Sequence, residues 1–200
     1  MFKELCSWLV ACVMLGFAVH YAYQVYLKRN DPTPSTWIIF LLGTTLSFTT
    51  YLISAGEHTF ETGILNAMDV VVVTIALVAT LLWGKRATIR FQRFEFLYLT
   101  AASCIILYGV ISGDAFQSNL FAQGLITFGY FPTVQKMVRE NRNTESFSSW
   151  SIGLLAGFIG LVPATLNHDT LAVTYALRTI VMIAIIMLIS AYFALKDECF

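Results

Sequence analysis

Charge is scarce in this sequence. Asp, Glu, Lys and Arg together make up 12% of the 200 residues, about half of the usual share in globular proteins, whereas 58% are hydrophobic. A soluble protein of this length cannot bury so much apolar surface in one core. The formal net charge is zero, which argues against nucleic acid as a partner. We therefore expect most of the chain to lie in a lipid bilayer.

The sequence also lacks the patterns of metal, disulfide and hydrolase chemistry. Its cysteines have no CxxC spacing and are interpreted as small packing residues: Cys6, Cys12, Cys104 and Cys199. The histidines form no HExxH pattern, and no GxSxG motif is present. The last apolar stretch contains no lysine that could hold retinal. We expect no enzyme, no metal and no cofactor.

Apolar stretches long enough to cross a bilayer account for nearly the whole chain. A membrane helix needs about 20 mostly apolar residues. The connections between the stretches are short and leave no room for a soluble domain. The predicted spans are residues 5–27, 37–54, 64–83, 94–112, 118–137, 149–166 and 171–195.

Lys and Arg are distributed unevenly between the two sets of connections, which predicts the orientation. One set, together with the C-terminal tail, contains Lys28, Arg29, Lys85, Arg86, Arg90, Arg93, Lys136, Arg139, Arg142 and Lys196. The other set contains only Lys3. Basic residues are enriched on the cytoplasmic side of membrane proteins. The N-terminus is therefore predicted to be outside and the C-terminus to be cytoplasmic.

Two segments of the sequence resemble each other at a distance of 113 residues. Residues 16–42 and 129–155 align without a gap and are identical at nine of 27 positions. The identical pairs include Gly16/Gly129, Arg29/Arg142, Asn30/Asn143, Ser35/Ser148 and Trp37/Trp150. Both segments run in the same direction through the predicted membrane. This predicts a parallel repeat, as in some secondary transporters, with a three-helix bundle at 1–84, a linker helix at 85–113 and a second bundle at 114–200.

The stretch GYFPTVQKMVRENRNTESFSSW, residues 129–150, combines a proline within an apolar run with a basic segment and a serine-rich start to the next span. The residues concerned are Pro132, Lys136, Arg139, Asn143, Thr144, Ser146 and Ser148. With the 3+1+3 layout, this segment resembles the SWEET and PQ-loop transporter clan. The resemblance implies seven transmembrane helices in an all-α fold, with the third helix of each bundle lining a central path and asparagines there contacting the substrate.

Pro132 lies within the fifth predicted span. Proline lacks a backbone N–H and clashes with the carbonyl four residues earlier, so it kinks a helix. A kink at this depth is a candidate hinge for a gate. A packing kink without motion is the alternative. In the first copy, Val19 stands at the matching position.

Polar residues inside the predicted spans are the candidate substrate contacts. A charge at mid-bilayer costs about 2.5–3.5 kcal/mol, so such groups usually face protein or water. Asn66 and Asp69 lie in the third span, and Thr174, Tyr175 and Arg178 in the seventh. The resemblance implies substrate contact for Asn66, which falls in a comparable place in the third span, with a purely interhelical role as the alternative. Further polar residues are His20 in the first span, and Gln123, Tyr130 and Thr133 in the fifth.

Asp69 and Arg178 are predicted to form a charge pair across the path. At a rise of 1.5 Å per residue they lie roughly 9 and 12 Å from the outer ends of their spans. Such a pair would close the outer side and open when substrate or a proton breaks it. The alternatives are that Arg178 snorkels to the headgroups and that Asp69 stays protonated.

Two further predictions concern the helix ends, one for a serine and one for a pair of tryptophans. Ser148 is expected to cap the sixth span, because a serine hydroxyl can accept an amide hydrogen at a helix start. Trp37 and Trp150 are expected at the level of the lipid headgroups. Neither assignment depends on transport.

The expected function is transport of a small polar solute across the plasma membrane, or the inner membrane of a bacterium, by rocking of the two bundles around a midplane site. The resemblance favours a sugar. An amino acid or another charged molecule, with proton coupling, is the second possibility. A receptor or scaffold on the same fold is the third, because fold does not dictate function. Lipid is the surrounding partner, and a homo-oligomer is compatible with the sequence.

Overall fold

The computed structural model describes residues 2–30, 32–54, 58–84 and 93–198. Every regular element in these ranges is a helix. Prolines and glycines lie at several of the helix ends, where Pro34 begins one helix and Gly84 follows another. The helices are α1 Phe2–Tyr26, α2 Pro34–Ile53, α3 Ile64–Trp83, α4 Arg93–Ser112, α5 Ala115–Gly129, α6 Phe131–Glu140, α7 Phe147–Leu166 and α8 Thr170–Glu198.

Five of these helices are long and apolar enough to cross a membrane: α1, α2, α3, α7 and the part of α8 up to Lys196. Large apolar side chains cover the outside of the bundle, for example Trp8, Val110 and Leu188, which are more than 70% exposed. In water this surface would be unfavourable, whereas lipid tails solvate it. The chain therefore has the properties of a multi-pass membrane protein.

The other two predicted spans correspond to α4 and to two consecutive helices. The span at 94–112 corresponds to α4, in which the apolar part with described side chains is Phe96–Ser112. The span at 118–137 is divided into α5, with 15 residues, and α6, with 10. The expected count of seven spans thus rests on α4 and on α5 followed by α6, in addition to the five long helices.

Pro132 explains the division between α5 and α6. It occupies the first turn of α6, where the missing N–H of proline does no harm. Just before it, the Tyr130 amide donates to the Thr127 carbonyl at 3.3 Å, which is a tighter turn than an α-helix makes. Pro163, by contrast, lies inside α7 without ending it.

Following the predicted repeat, we compare two groups of helices: α1, α2 and α3, and α5 with α6, α7 and α8. In the first group, α1 and α2 both pack against α3; in the second, α8 packs against α7 and against α5 and α6. Across the groups, α1 packs against α7 and α2 against α5. The first helix of each group therefore contacts the second helix of the other. Helix α4 packs on the outside, against α5 and α2.

The first helix of each group ends with the same turn. Lys28, after α1, and Asn141, after α6, have positive φ angles of 59° and 51°. In both turns this residue donates its amide to the carbonyl three residues earlier, and the next residue donates to the carbonyl five residues earlier. A left-handed residue of this kind commonly ends a helix. The two turns lie 113 residues apart, in the register of the sequence repeat.

The two ends of the helix bundle differ in charge. At one end, called the basic end, Lys196 Nζ donates to Asn141 Oδ1 at 2.7 Å, and Lys28 Nζ donates to the Trp83 carbonyl. At the other end, called the Lys3 end, Lys3 Nζ donates to Asn167 Oδ1 at 2.6 Å. Of the other basic residues counted in the sequence, Lys85, Arg86 and Arg90 lie outside the described residues. Arg93 begins α4, but its side chain is outside the described part. Which end faces the cytoplasm stays a prediction.

Two local expectations were wrong. Ser146 caps α7, since its Oγ accepts from the Ser149 amide at 3.3 Å, while the Ser148 hydroxyl lies 3.0 Å from Nε2 of His20. Trp37 and Trp150 are only 5% and 6% exposed and lie in the core. A tryptophan near a helix start reaches the headgroups only if its face of the helix points to lipid, and here both side chains line a cavity inside the helix bundle.

Candidate functional site

A cavity lies between the two groups of helices. The space between its lining side chains totals about 490 Å³, including the part that opens outward. Its hydroxyl-bearing and charged lining residues come from α2, α3, α8 and the turn before α6. The lining consists of Met14, Phe17, Trp37, Phe40, Thr44, Asp69, Val72, Val73, Ile126, Tyr130, Trp150, Gly153, Arg178, Thr179 and Ile183.

Asp69 and Arg178 both line this cavity, but they are not in direct contact. Tyr175 lies between them: its hydroxyl donates to Asp69 Oδ2 at 2.5 Å, and the Arg178 guanidinium carbon is 4.4 Å from the centre of its ring. A cation over an aromatic face is attracted to it. The predicted direct charge pair is therefore replaced by an arrangement with a tyrosine between the two charges.

Helix geometry explains this arrangement. Asp69 is the sixth residue of α3 and Tyr175 the sixth residue of α8, so they lie at the same depth and meet. Arg178 lies three residues further along α8, on the same face as Tyr175. Residue counting in the sequence gave the depths of Asp69 and Arg178 but not which side chain of α8 faces α3.

Arg178 has a second contact on the other side. Its Nε donates to Gln123 Oε1 at 2.9 Å, which connects α8 to α5. Its Nη2 atom is buried and has no hydrogen-bond partner within the described residues. The guanidinium therefore contacts an amide of α5 and an aromatic ring of its own helix. The sequence identified Gln123 as polar within a span but assigned it no role.

Asn66 belongs to a buried polar network rather than to the cavity lining. Its amide nitrogen donates to Ser47 Oγ at 3.1 Å, and Gln123 Nε2 donates to the same oxygen at 2.8 Å. Asn119 Nδ2 donates to the Ser47 carbonyl at 2.6 Å. The network joins α2, α3 and α5 next to Arg178. This placement favours the interhelical alternative for Asn66 over direct substrate contact.

Thr174 lies away from the site. It is only partly buried, and its Oγ1 donates to the Thr170 carbonyl at 2.8 Å, within its own helix. It does not line the cavity. Of the five candidate contact residues, the structure brings Asp69, Tyr175 and Arg178 together and leaves Asn66 and Thr174 outside.

A cluster of aromatic side chains bounds the cavity on the side of the basic end. The ring centres of Phe40 and Tyr130 are 4.8 Å apart, those of Tyr130 and Trp150 6.1 Å, and those of Phe17 and Trp150 6.2 Å. Trp37 adds to this cluster through Phe40, at 5.8 Å. Pairs at these separations attract each other in tilted or edge-to-face geometry. The aromatic cluster therefore joins α1, α2 and α7 to the break between α5 and α6.

A second cavity lies on the far side of the aromatic cluster. It shares Trp37, Phe40 and Trp150 with the first one, so these rings form the wall between the two. Its other lining residues are Tyr21, Pro32, Thr33, Thr36, Pro132, Thr133, Lys136 and Glu145. Sequence reasoning missed the cluster. A signal was present, because Phe17/Tyr130 and Trp37/Trp150 are aromatic in both copies of the repeat.

Pro132 lies next to this wall. The residue two positions before it, Tyr130, contributes a ring to the aromatic cluster, and Pro132 itself lines the second cavity. A Cβ on Gly129 would come within 3.3 Å of the Phe40 ring. The helix break therefore lies beside the contact between the end of α5 and the Phe40 ring of α2.

Within the described residues, no group of three or more His, Cys, Asp and Glu side chains is placed to hold a metal ion. Comparison with known protein families, curated proteins and solved structures finds no match to this chain. The cavity geometry is therefore the main basis for a functional proposal.

Proposed function

We propose that this protein is a membrane transporter for a small polar solute. The observation that carries the proposal is the central cavity, which contains a carboxylate and a guanidinium and lies between two three-helix groups. Charges at this depth are costly in a bilayer, and a purely structural bundle has no need of them. Polar groups converging on an otherwise apolar, aromatic cavity are typical of binding sites.

The mechanism proposed is alternating access by rocking of the two groups. The reciprocal packing of α1 on α7 and α2 on α5 supports it, since equivalent surfaces meet around a central axis. The matching turns after α1 and α6 support the parallel repeat. Parallel repeats with a site at their interface are a known plan for secondary transporters. On this basis we also propose membership of the SWEET and PQ-loop clan, with the Lys3 end outside the cell.

In this mechanism the aromatic cluster forms the gate toward the basic end. Phe40 belongs to the first group and Tyr130 to the second, so their edge-to-face contact at 4.8 Å must separate when that end opens. The break before Pro132 lets α6 move without bending α5, because no continuous backbone hydrogen-bond ladder joins them. Pro132 is thus proposed as the hinge of this gate.

A sugar is the first candidate solute. Aromatic rings in the lining offer stacking surfaces, and Thr44, Thr179 and Tyr130 offer hydroxyls. A zwitterionic or anionic solute is the second candidate, and a specific observation favours it. Asp69 and Arg178 do not contact each other directly, and one buried nitrogen of Arg178 has no hydrogen-bond partner among the described residues. A carboxylate is a suitable partner for such a guanidinium.

Uptake by liposomes containing the purified protein tests the proposal. The solute panel includes neutral sugars, zwitterionic amino acids and monocarboxylates, and the control is the Arg178→Gln variant at equal protein content. We expect one class to enter faster than in empty liposomes, and the variant to lose at least tenfold of that rate. If no class moves and none raises the thermal unfolding temperature, the receptor or scaffold function replaces transport.

A further inference from the structure

Thr179 places a buried hydroxyl in the central cavity. It is 4% exposed, and its Oγ1 has no hydrogen-bond partner among the described residues. It follows Arg178 on α8, and both residues lie about one helical turn beyond Tyr175. A buried hydroxyl without a partner costs free energy, so a group of this kind in a cavity needs an explanation.

The hydroxyl of Thr179 is an exception among the helical threonines. A threonine within a helix can donate its hydroxyl to the carbonyl four residues earlier, which satisfies the group without a ligand. Thr179 has this option with the Tyr175 carbonyl and does not take it. Its hydroxyl is therefore available to a molecule in the cavity. The threonines that do bond in this way are Thr44, Thr50, Thr74, Thr80, Thr100, Thr127, Thr165 and Thr174.

Arg178 offers a second donor in the same cavity. Its Nε donates to Gln123 Oε1 at 2.9 Å, but its Nη2 is buried and has no partner among the described residues. Consecutive residues of α8 thus bring a guanidinium N–H and a hydroxyl to one lining. A carboxylate only accepts and can take several hydrogen bonds, so it matches both donors.

Asp69 contributes the opposite charge from α3. Its Oδ2 accepts from the Tyr175 hydroxyl at 2.5 Å, and an ionised carboxylate has further lone pairs for another donor. The Tyr175 ring lies between Asp69 and the Arg178 guanidinium. The negative and the positive group of the cavity are therefore kept apart, and an ammonium group is a suitable partner for Asp69.

The charge balance of the cavity favours a ligand that has both charges. Asp69 and Arg178 cancel in net charge, and the lining contains no other Asp, Glu, Lys or Arg. A monocarboxylate would leave one excess negative charge within the bilayer, which is costly. A zwitterion adds no net charge and gives each of the two residues an opposite charge.

The remaining lining determines which ligand side chain fits. Apolar surface that is buried against such residues gains about 25 cal/mol per Å², whereas a charged side chain would lose its hydration without a partner. The lining therefore suits an aliphatic or aromatic side chain. The apolar and aromatic lining residues include Phe17, Phe40, Val72, Trp150 and Ile183.

We infer that the central cavity binds an amino acid with an apolar side chain, whose carboxylate is held by Arg178 and Thr179 and whose ammonium group is held by Asp69. The inference rests on the proposed transport function for the way in which the amino acid reaches the cavity. Binding itself is measured without transport, so the two proposals can fail separately.

Binding of leucine to the purified protein in detergent tests the inference. Leucine is compared with leucinamide, which lacks the carboxylate, and with isocaproate, which lacks the amine. Lysine tests the side chain, and glucose represents the neutral sugars. We expect leucine to bind at least about tenfold more tightly than each of the other four compounds, because each of them lacks one of the matched groups.

The variant Thr179→Val removes the hydroxyl and keeps the shape of the side chain. It should weaken leucine binding about tenfold, as expected for a lost hydrogen bond to a charge, and leave the weak binding of leucinamide unchanged. The unfolding temperature of the empty protein should not fall, since the hydroxyl has no partner to lose. Thr179→Ser should recover most of the affinity. Thr174→Val, on the same helix but outside the cavity, is the matched control.

Equal affinity for leucine and leucinamide, or unchanged leucine binding in Thr179→Val, would overturn the inference. Binding of glucose without binding of leucine would also overturn it, while transport of a sugar would stand. If leucine binds as expected but liposomes take up no solute, the inference stands and the transport proposal fails. If none of the compounds binds, the inference fails, and uptake by liposomes decides on transport alone.

Discussion

The first helix of one group and its counterpart in the other differ in continuity. Helix α1 runs unbroken from Phe2 to Tyr26, whereas its counterpart is divided into α5 and α6 at Tyr130. Both nevertheless end in the same left-handed turn, at Lys28 and Asn141. One of the differences between the copies is that Val19 in the first corresponds to Pro132 in the second. The two copies thus share the turn at the helix end, while the proline lies at the break that only the second copy has.

The second helices differ in how their matching tryptophans are held. Both Trp37 and Trp150 are buried, but only Trp150 has a partner for its indole N–H, which donates to Glu145 Oε2 at 3.3 Å. Pro32 occupies the position that matches Glu145, and Nε1 of Trp37 has no partner within the described residues. The two groups therefore share a scaffold but differ in polar chemistry, which is what an asymmetric solute would need.

The largest effect on uptake is expected when either of the unlike charges that the two groups contribute is removed. Asp69→Asn and Arg178→Gln should each lower uptake at least tenfold, because each leaves the other charge without its counterpart across Tyr175. The exchange Asp69→Arg with Arg178→Asp should not restore uptake, since the pair is not in direct contact. Uptake and protein content are measured in the same liposomes.

Thr174→Val provides the matched control on α8, and uptake should stay within about twofold of the parent protein because this side chain bonds only within its own helix. Recovery of uptake by the double exchange would show that a direct pair forms during the cycle, contrary to the arrangement described here.

The next largest effect is expected from placing a proline in the first copy or removing it from the second. Val19→Pro should break α1 and lower the free energy of unfolding by about 3 kcal/mol or more, because an interior proline removes a hydrogen bond and clashes. Pro132→Ala should join α5 and α6 and leave stability nearly unchanged, but slow the transport cycle. Thermal unfolding in detergent and uptake rates measure the two effects. An unchanged uptake rate in Pro132→Ala would show that Pro132 affects packing alone and is not a hinge.

The two tryptophans should respond unequally to removal of the indole N–H. Trp150→Phe loses the hydrogen bond to Glu145 and should cost about 1 kcal/mol more stability than Trp37→Phe, whose N–H has no partner to lose. Both changes remove similar ring area, so each variant is the control of the other. Equal shifts in unfolding temperature would contradict the difference between the copies.

The smallest effect concerns the matching glycines. A Cβ on Gly16 would meet no atom within 4 Å, whereas on Gly129 it would lie 3.3 Å from the Phe40 ring. Gly16→Ala should therefore raise stability by up to about 1 kcal/mol, as alanine favours helix, and Gly129→Ala should lower it. Unfolding temperatures in detergent give the comparison. Stabilisation by both changes would show that Phe40 moves aside at little cost.

Much of the fold follows from the sequence because apolar length is a local property. The predicted span 64–83 coincides with α3, and the predicted span 94–112 differs from α4 by one residue at its start. Pro132 indicated a kink in the fifth predicted span, where the structure has the break between α5 and α6. The site was less predictable: Asp69, Tyr175 and Arg178 were identified as candidates, while the aromatic cluster and the contacts of Asp169 with Tyr51 and His58 were not. Their members are far apart in the chain, and no local pattern connects them.

Residue counting from the sequence alone determined how deep each polar group lies, since the rise per residue of a helix is fixed. The tertiary structure decided which way each group faces, since the rotation of a helix about its axis depends on the side chains packed against it. Tyr175 therefore lies between two charges that depth alone would pair. Trp37 and Trp150 line the cavity inside the bundle rather than pointing to lipid for the same reason. Asp169, polar and close to a helix end, is buried in a place where Tyr51 and His58 from the other group donate to it.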